Sequence, residues 1–424
     1  MQKITLLRGA RQLLTLHGSS GPRRGADLGN LGLIQDGAVL IVDGLIHQVG
    51  PARRLENLAL ARQAEEIDAS GCVVMPGFVD SSTHLVGGPA RMLDHELRLA
   101  GASQQEIGQS GGGALAHARA IEDFSPRTLE VIALRAMEEA LRHGTTTIET
   151  KSGLGLTQSG ELKILRVHNA LRKRPVSVVS TFSAVRISPE FDGKRDEYLD
   201  WVTSRILPLV QRYKLAEFAE IRCGADAFTL EETCRYLTAA RQLGFAVKLH
   251  TGSEPGSAAV RMAVELEATS VEHLIGACEQ DAELLAQSRT IATLLPGAVF
   301  FDGTERYAPA RMLIDNGAAV ALASNYSPET GPSQNMQMIM ALACRSMNMR
   351  PAEAITASTL NAAYAVGQAA NAGSLEVGKS ADLLILHISD YREISYHFGI
   401  NLMDRVMKRG VILVERSEVK WPAP

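Results

Sequence analysis

From Met75 onward the chain alternates short β-rich apolar segments with longer ones whose apolar residues recur every three or four positions. This pattern predicts strands at 79–84, 145–150, 176–182, 217–223, 246–250, 269–274, 290–295 and 318–324. The segments between and after them predict helices at 128–142, 160–171, 198–212, 230–243, 257–266, 281–287, 308–316 and 336–347. In the first helix Leu129, Ile132, Ala133, Ala136, Met137 and Ala140 fall on one face. Gly144, Gly244 and Gly317 stand just past helix ends, where a glycine accepts the left-handed conformation that stops a helix. Strand-then-helix units repeated in this way predict an α/β chain with a (β/α)8 TIM-type barrel over residues 73–365.

The flanks follow a different rhythm. Val39 to Val42, the turn Asp43-Gly44 and Leu45 to Val49 read as a hairpin, and apolar runs recur after Asp382 and from Val406 to Val414. Residues 1–72 and 366–424 are therefore expected to meet in one small β-sandwich domain. The stretch after Asp382 reads as a plain core strand. The triple glycine at 111–113 reads as a loop and not a phosphate cradle, since it lacks the G-x-G-x-x-G spacing and a preceding strand.

Composition narrows the function classes. The 424 residues are 46% hydrophobic with a net charge of −4, which suits a globular protein with a large core and offers no basic surface for nucleic acid. Apolar runs such as 72–75 and 318–323 fall far short of the ~20 residues that span a bilayer. Arg8 and Arg11 interrupt the N-terminal apolar stretch, so no cleavable signal is expected and the expected compartment is the cytoplasm. The five cysteines, at 72, 223, 234, 278 and 344, form no C-x-x-C pair and read as reduced thiols.

Candidate chemistry starts at Pro76-Gly-Phe-Val-Asp-Ser-Ser-Thr-His84. Further tags follow in order: Glu96-Leu-Arg-Leu, Gly101-Ala-Ser, Gly111-Gly-Gly, Lys151-Ser-Gly-Leu-Gly-Leu, Val179-Ser-Thr-Phe, Lys248-Leu-His, Glu272-His-Leu, Leu295-Pro-Gly, Asn361-Ala-Ala and Tyr396-His-Phe-Gly-Ile-Asn. The ordered set resembles the imidazolonepropionases of the amidohydrolase superfamily, from about residue 30 to 415. That resemblance implies hydrolytic opening of a cyclic amide C–N bond, converting 4-imidazolone-5-propanoate to N-formimidoyl-L-glutamate. It also implies a homodimer and a zinc or iron ion whose bound water drops from a pKa of ~15.7 toward ~7.

The family's metal ligands are two histidines from strand 1, one from strand 5 and an aspartate from strand 8; the matching positions here are Ser82, His84, His250 and Asn325. His84 and His250 are retained, while Ser82 and Asn325 are degenerate ligand positions. Ser253 stands where the family has the proton-shuttling glutamate, and serine exchanges protons poorly at neutral pH without a base beside it. His273 is a retained family position. With His84 and His250 it offers an alternative tris-His zinc site, for which Glu254 and Glu272 are the nearest candidate bases.

The resemblance also marks the substrate wall. Arg91 matches the arginine that holds the substrate carboxylate, Leu154 replaces a tyrosine, and Arg186 replaces a substrate-contacting histidine. Two readings stay open at this point. One is a hydrolase whose metal-dependent activity is lost or altered; the other is a non-catalytic member that binds a small anion or a partner subunit. The second rests on Arg91 and Arg186 facing a mouth stripped of acids, where a compact anion would be held by charge.

Overall fold

The computed structural model describes residues 2–225, 227–252, 257–329 and 331–415. The strands in chain order are β1 Ile4–Leu14, β2 Leu33–Val42, β3 Leu45–Pro51, β4 Glu65–Asp68, β5 Val73–Pro76, β6 Phe78–Asp80, β7 Thr145–Lys151 and β8 Ser177–Ala184. They continue with β9 Phe218–Cys223, β10 Ala246–Thr251, β11 Ser270–Glu272, β12 Ile291–Leu294, β13 Val320–Leu322, β14 Leu383–Leu386, β15 Met403–Lys408 and β16 Val411–Glu415. From β6 to β13 each strand pairs in parallel with the next, giving the expected eight-stranded barrel wall. Leu249, Val271, Leu294 and Leu322 of this wall pack with Leu237, Leu285 and Ile339 of the surrounding helices in one core.

The barrel seam closes at its C-terminal end. Beyond β6 and β13, Thr83 bridges to Tyr326, and the His84 N–H donates to the Tyr326 carbonyl at 2.6 Å. The first strand therefore ends at Asp80, earlier than its apolar pattern predicts, because residues 81–84 turn to make this closure. The seam lies between the two segments that carry Ser82, His84 and Asn325.

Both chain ends join a second, mixed sheet in the order β16-β15-β14-β5-β1-β2-β3, with β4 on β1. A register shift between Leu7 and Ala10 divides β1, whose first half pairs with β4 and whose second half pairs with β5. The small β domain is thus one continuous sheet around Leu7, Val39, Ile46, Leu383, Ile385 and Met407. The run after Asp382 is the core strand expected, and Asp382 itself accepts a 2.6 Å bond from the buried Lys408 ammonium.

Two helical features go beyond the sequence expectation. The predicted helix 198–212 is built as Arg195–Trp201, a π-helical turn Val202–Ile206, and Leu207–Arg212. Pro208 has no N–H to continue the ladder, and widening the preceding turn absorbs that loss. Between β6 and β7, ahead of the long helix Pro126–Arg142, stand the helices Met92–Leu99, Gln104–Gln109 and Gly113–Asp123. The triple glycine is their turn: Gly111 has φ +82°, and Gly113 opens the last of the three. Among the described residues no helix is long and apolar enough to cross a membrane, and all five cysteines are free.

Asn361 ties the N-terminal segment to the barrel. Its buried amide donates to the carbonyls of Arg23 (2.9 Å) and Val320 (2.8 Å) and accepts from the Arg23 N–H (2.8 Å). Removing it leaves three buried backbone groups without partners, so Asn361→Ala should lower stability by about 3 kcal/mol. Urea denaturation followed by circular dichroism checks this, with Asn361→Asp expected to be intermediate.

Candidate active site

Five charged side chains sit inside the barrel with 1% exposure or less: Glu149 and Lys151 on β7, Glu220 on β9, Lys248 on β10 and Glu272 on β11. Strand alternation turns Glu149 and Lys151, two residues apart, to the same side. Register brings Lys248 beside Glu220, and His250 beside Glu272. The Lys151 ammonium donates to Glu220 and, at 2.5 Å, to Glu272; the Lys248 ammonium donates to Glu149 at 2.7 Å. Burial opposes the Lys151 charge, yet the carboxylates around it raise its pKa above the ordinary lysine value. Burial raises the Glu272 carboxyl against the pull of Lys151. Three acids thus face two ammonium groups in this layer.

The family's ligand positions open onto this network. The Ser82 hydroxyl donates to Glu272 Oε2 at 2.9 Å, so its proton is committed to the buried acid. Asp80 accepts from the Ser324 N–H (2.9 Å) and hydroxyl (2.5 Å), and burial pushes its carboxyl up to about 7. Asn325 takes the left-handed backbone, φ +52°, a conformation asparagine tolerates. His250 and His273 stack with ring centroids 5.2 Å apart. Burial, with Lys151 nearby, pulls His84 down to about 3; burial and Arg222 pull His273 to about 4; burial and His273 lower His250.

Three neutral imidazoles have the right chemistry for a metal ion, and the Nδ1 atoms of His84 and His273 are buried without hydrogen-bond partners. Their placement does not match that chemistry. Among the described residues no group of three or more His, Cys, Asp or Glu side chains is arranged to hold a metal ion. The tris-His alternative is therefore not assembled as the side chains stand. Ser253 and Glu254 lie outside the described residues. Glu272, expected as a candidate base, belongs to the buried network, where Lys151 and Ser82 donate to it.

At the mouth the arginines are not unopposed, contrary to the expectation from sequence. Arg91 gives Nε to Asp94 (2.9 Å) and Nη2 to the Gly111 carbonyl (3.2 Å). Arg186 gives both Nη groups to Glu329, at 3.2 and 3.0 Å. Glu329 lies 143 residues from Arg186 and no local pattern pairs them, whereas Asp94 is only three residues from Arg91 in the helix that Arg91 caps and was within local reach. Leu154 is buried on the loop after β7, close to Pro328 across Gly87. Glu161 holds that loop: its buried carboxylate accepts the N–H groups of Gly153 (2.7 Å), Gly155 (2.7 Å) and Leu156 (2.9 Å).

Sequence reasoning also missed the buried network itself, although a signal existed. A charged residue inside each of Thr-Ile-Glu-Thr-Lys, Phe-Ala-Glu-Ile, Val-Lys-Leu-His and Ser-Val-Glu-His, at similar depth in its strand, marks an interior polar layer. Thr251 was missed as well. Its hydroxyl donates to the Glu272 carbonyl (2.9 Å) and accepts from the Leu274 N–H (3.2 Å), pinning the strand end where His273 adopts φ +77°.

A family profile described as "Amidohydrolase family" matches residues 73–413. Among curated relatives, an imidazolonepropionase of Symbiobacterium thermophilum is 40% identical over 98% of each chain. That of Alkaliphilus metalliredigens is 38% identical over 99% of this chain and all of the relative. Among solved structures the chain is similar to a triazine hydrolase variant, with a TM-score of 0.73, 16% identity, and 97% of this chain and 95% of the other covered. It is also similar to a zinc-bound adenosine deaminase of Xanthomonas campestris, with a TM-score of 0.67, 17% identity, and coverage of 97% and 93%. At such identities the structures speak to the fold.

Lys151 is the network's most connected cation. Replacing it by methionine strands two buried carboxylates, and Lys151→Met should destabilise the protein by roughly 3–5 kcal/mol. Adding Glu220→Gln should recover part of that loss. Chemical denaturation of both variants and of Glu220→Gln alone completes the cycle, and a double-variant loss equal to the sum of the two single losses would show that the two side chains are uncoupled.

Proposed function

We infer this protein's chemistry from one premise: the chain belongs to the amidohydrolase family and is an imidazolonepropionase homologue. The reading is a hydrolase of the imidazolonepropionase type, opening a cyclic amide C–N bond of a small molecule, whose metal-dependent step is lost or altered. The observation that carries it is the fate of two strand ends: the Ser82 hydroxyl is bonded to Glu272, and Asn325 offers an amide in place of a carboxylate. An amide supplies no negative charge to a cation and takes no proton from an attacking water. Arg91 supports the small-molecule part of the reading, because its guanidinium is fixed by Asp94 and Gly111 at the cavity edge. The homodimer carried by the family belongs to the same reading, and sedimentation analysis tests it.

The experiment compares this protein with an intact imidazolonepropionase, measuring zinc and iron per chain and hydrolysis of 4-imidazolone-5-propanoate. Hydrolysis is expected to be lower by on the order of 10³-fold or more, since metal-activated water and its base are both impaired. Turnover within about tenfold of the intact enzyme would sink the reading. The variant Ser82→His, Asn325→Asp, Ser253→Glu should gain zinc in a titration before it gains activity, because Leu154 and Arg186 still alter the wall. A folded triple variant that takes up no zinc would mean that one of these positions is wrongly matched.

A further inference from the structure

A cavity of about 330 Å³ lies at the end of the barrel away from the mouth, where the small sheet meets the N-terminal ends of β7 and β8. Thr147 and Ser177, paired in register on those strands, line it together with Asp382, the turn residues Asp43 and Arg409, and Gln368. None of the residues that the family resemblance singled out is among its lining. Thr147 precedes Glu149 and Lys151 on the same face of β7, so the charged layer stands between this cavity and the strand ends that carry His84 and His250.

The floor is polar, and its charges are already matched. Asp382 accepts from the buried Lys408 ammonium at 2.6 Å and from the Arg409 N–H at 3.0 Å. The same ammonium donates to the Ser177 hydroxyl oxygen at 2.8 Å, which leaves the Ser177 proton to be given elsewhere. Beside it the Thr147 side chain is only 1% exposed, and its hydroxyl has no hydrogen-bond partner among the described residues. A buried hydroxyl without a partner is costly, so this position lacks something that the chain does not provide. At the rim the turns Asp43-Gly44 and Arg409-Gly410 touch, since a Cβ on Gly44 would fall 2.6 Å from the Arg409 carbonyl oxygen. They bring one carboxylate and one guanidinium to the same edge.

This lining selects by exclusion and by fit. An anion would meet Asp43 and Asp382, and a cation would meet Arg409 with Lys408 behind it. An apolar or aromatic molecule would strand the hydroxyls and the amides of Gln368 and Asn371. A zwitterion would suit the two rim charges, yet the unsatisfied group is a hydroxyl on the floor. What remains is a neutral molecule that donates and accepts at several points along its length.

We propose that this cavity binds a small neutral polyol, which hydrogen-bonds to Thr147 and Ser177 on the barrel and to the turns of the small sheet, and so ties the two parts together at the end opposite the mouth. The site is independent of the hydrolase reading, because no residue of the mouth takes part.

Thermal melting with xylitol at millimolar concentration tests it, with β-alanine as a zwitterionic and gluconate as an anionic comparison. Xylitol should raise the Tm of the wild-type protein by about 1 °C or more, and the other two should leave it unchanged. Polyols also stabilise proteins by exclusion from the whole surface, an effect that every folded variant shares. Thr147→Val separates the two: it removes the hydroxyl, nearly keeps the shape, and should melt no lower than the wild type without ligand, since it deletes an unpaired buried group. In that variant the xylitol shift should disappear. Ser380→Ala at the rim should reduce the shift, and it decides the matter should Thr147→Val not fold. Arg91→Ala, at the mouth, should keep the shift in full. The proposal is overturned by a wild-type protein unmoved by xylitol, by a shift of the same size in folded Thr147→Val or in Ser380→Ala, by an equal or larger shift with β-alanine or gluconate, or by loss of the shift in Arg91→Ala. These arms involve neither metal nor turnover, so their failure is separable from failure of the hydrolase reading.

Discussion

Everything at the C-terminal end of this barrel depends on the mutual neutralisation of Glu149, Lys151, Glu220, Lys248 and Glu272. None of the five is more than 1% exposed, and an isolated charge at such a position would cost several kcal/mol of desolvation. They are tolerable only as a set, which fixes their side chains and, through register, the strands that carry them. The set has one acid too many, and Glu272 sits where that surplus meets the mouth. Its Oε2 takes the Lys151 ammonium and the Ser82 hydroxyl, while its carbonyl takes Thr251. The candidate site is thus the open edge of an interior polar layer.

That arrangement explains how the family's ligand positions can change while the barrel stays intact. Ser82, His84 and Asn325 are held by backbone features independent of their side chains: the Thr83–Tyr326 bridge, the His84 N–H bond to Tyr326, and Asp80 bonding both groups of Ser324. The charges that stabilise the interior belong to other positions on other strands. The backbone of these strand ends is thus separable from the charged layer, although the Ser82 side chain bonds to it.

The same separation sets how much was legible in the sequence. Strand and helix periodicity recorded the barrel closely, since alternation and the 3.6-residue repeat are local consequences of burial. The helices Met92–Leu99 and Gln104–Gln109 escaped because each is too short for a clear repeat, and the first exposes Met92, Leu93 and Leu99. The resemblance singled out His84, His250 and Arg91. What surrounds them was not: the Arg186–Glu329 pair spans 143 residues and Ser82–Glu272 spans 190, and no local pattern records a partner so distant. The expectation of an acid-free mouth failed for this reason at Arg186, and at Arg91 because a local partner three residues away was overlooked. Counting only the lost carboxylates ignored Asp94 and Glu329, which arrive from the helix and the loop that follow the two seam strands.

Ser82 is therefore more than an empty place in a ligand set. A histidine there would present a bulky ring to Glu272, and an alanine would leave Glu272 Oε2 with one donor fewer in a fully buried setting, a loss of about 1–3 kcal/mol. Serine is small enough to fit under the seam and still supplies an O–H. At the position that the resemblance matches to a metal ligand, serine thus satisfies a buried acid. Asn325 follows the same logic at the other side of the seam, where it accepts φ +52° and carries no charge that would need a cation. Neither side chain adds a charge beside a layer that already has three acids for two ammonium groups, so both are compatible with its charge balance.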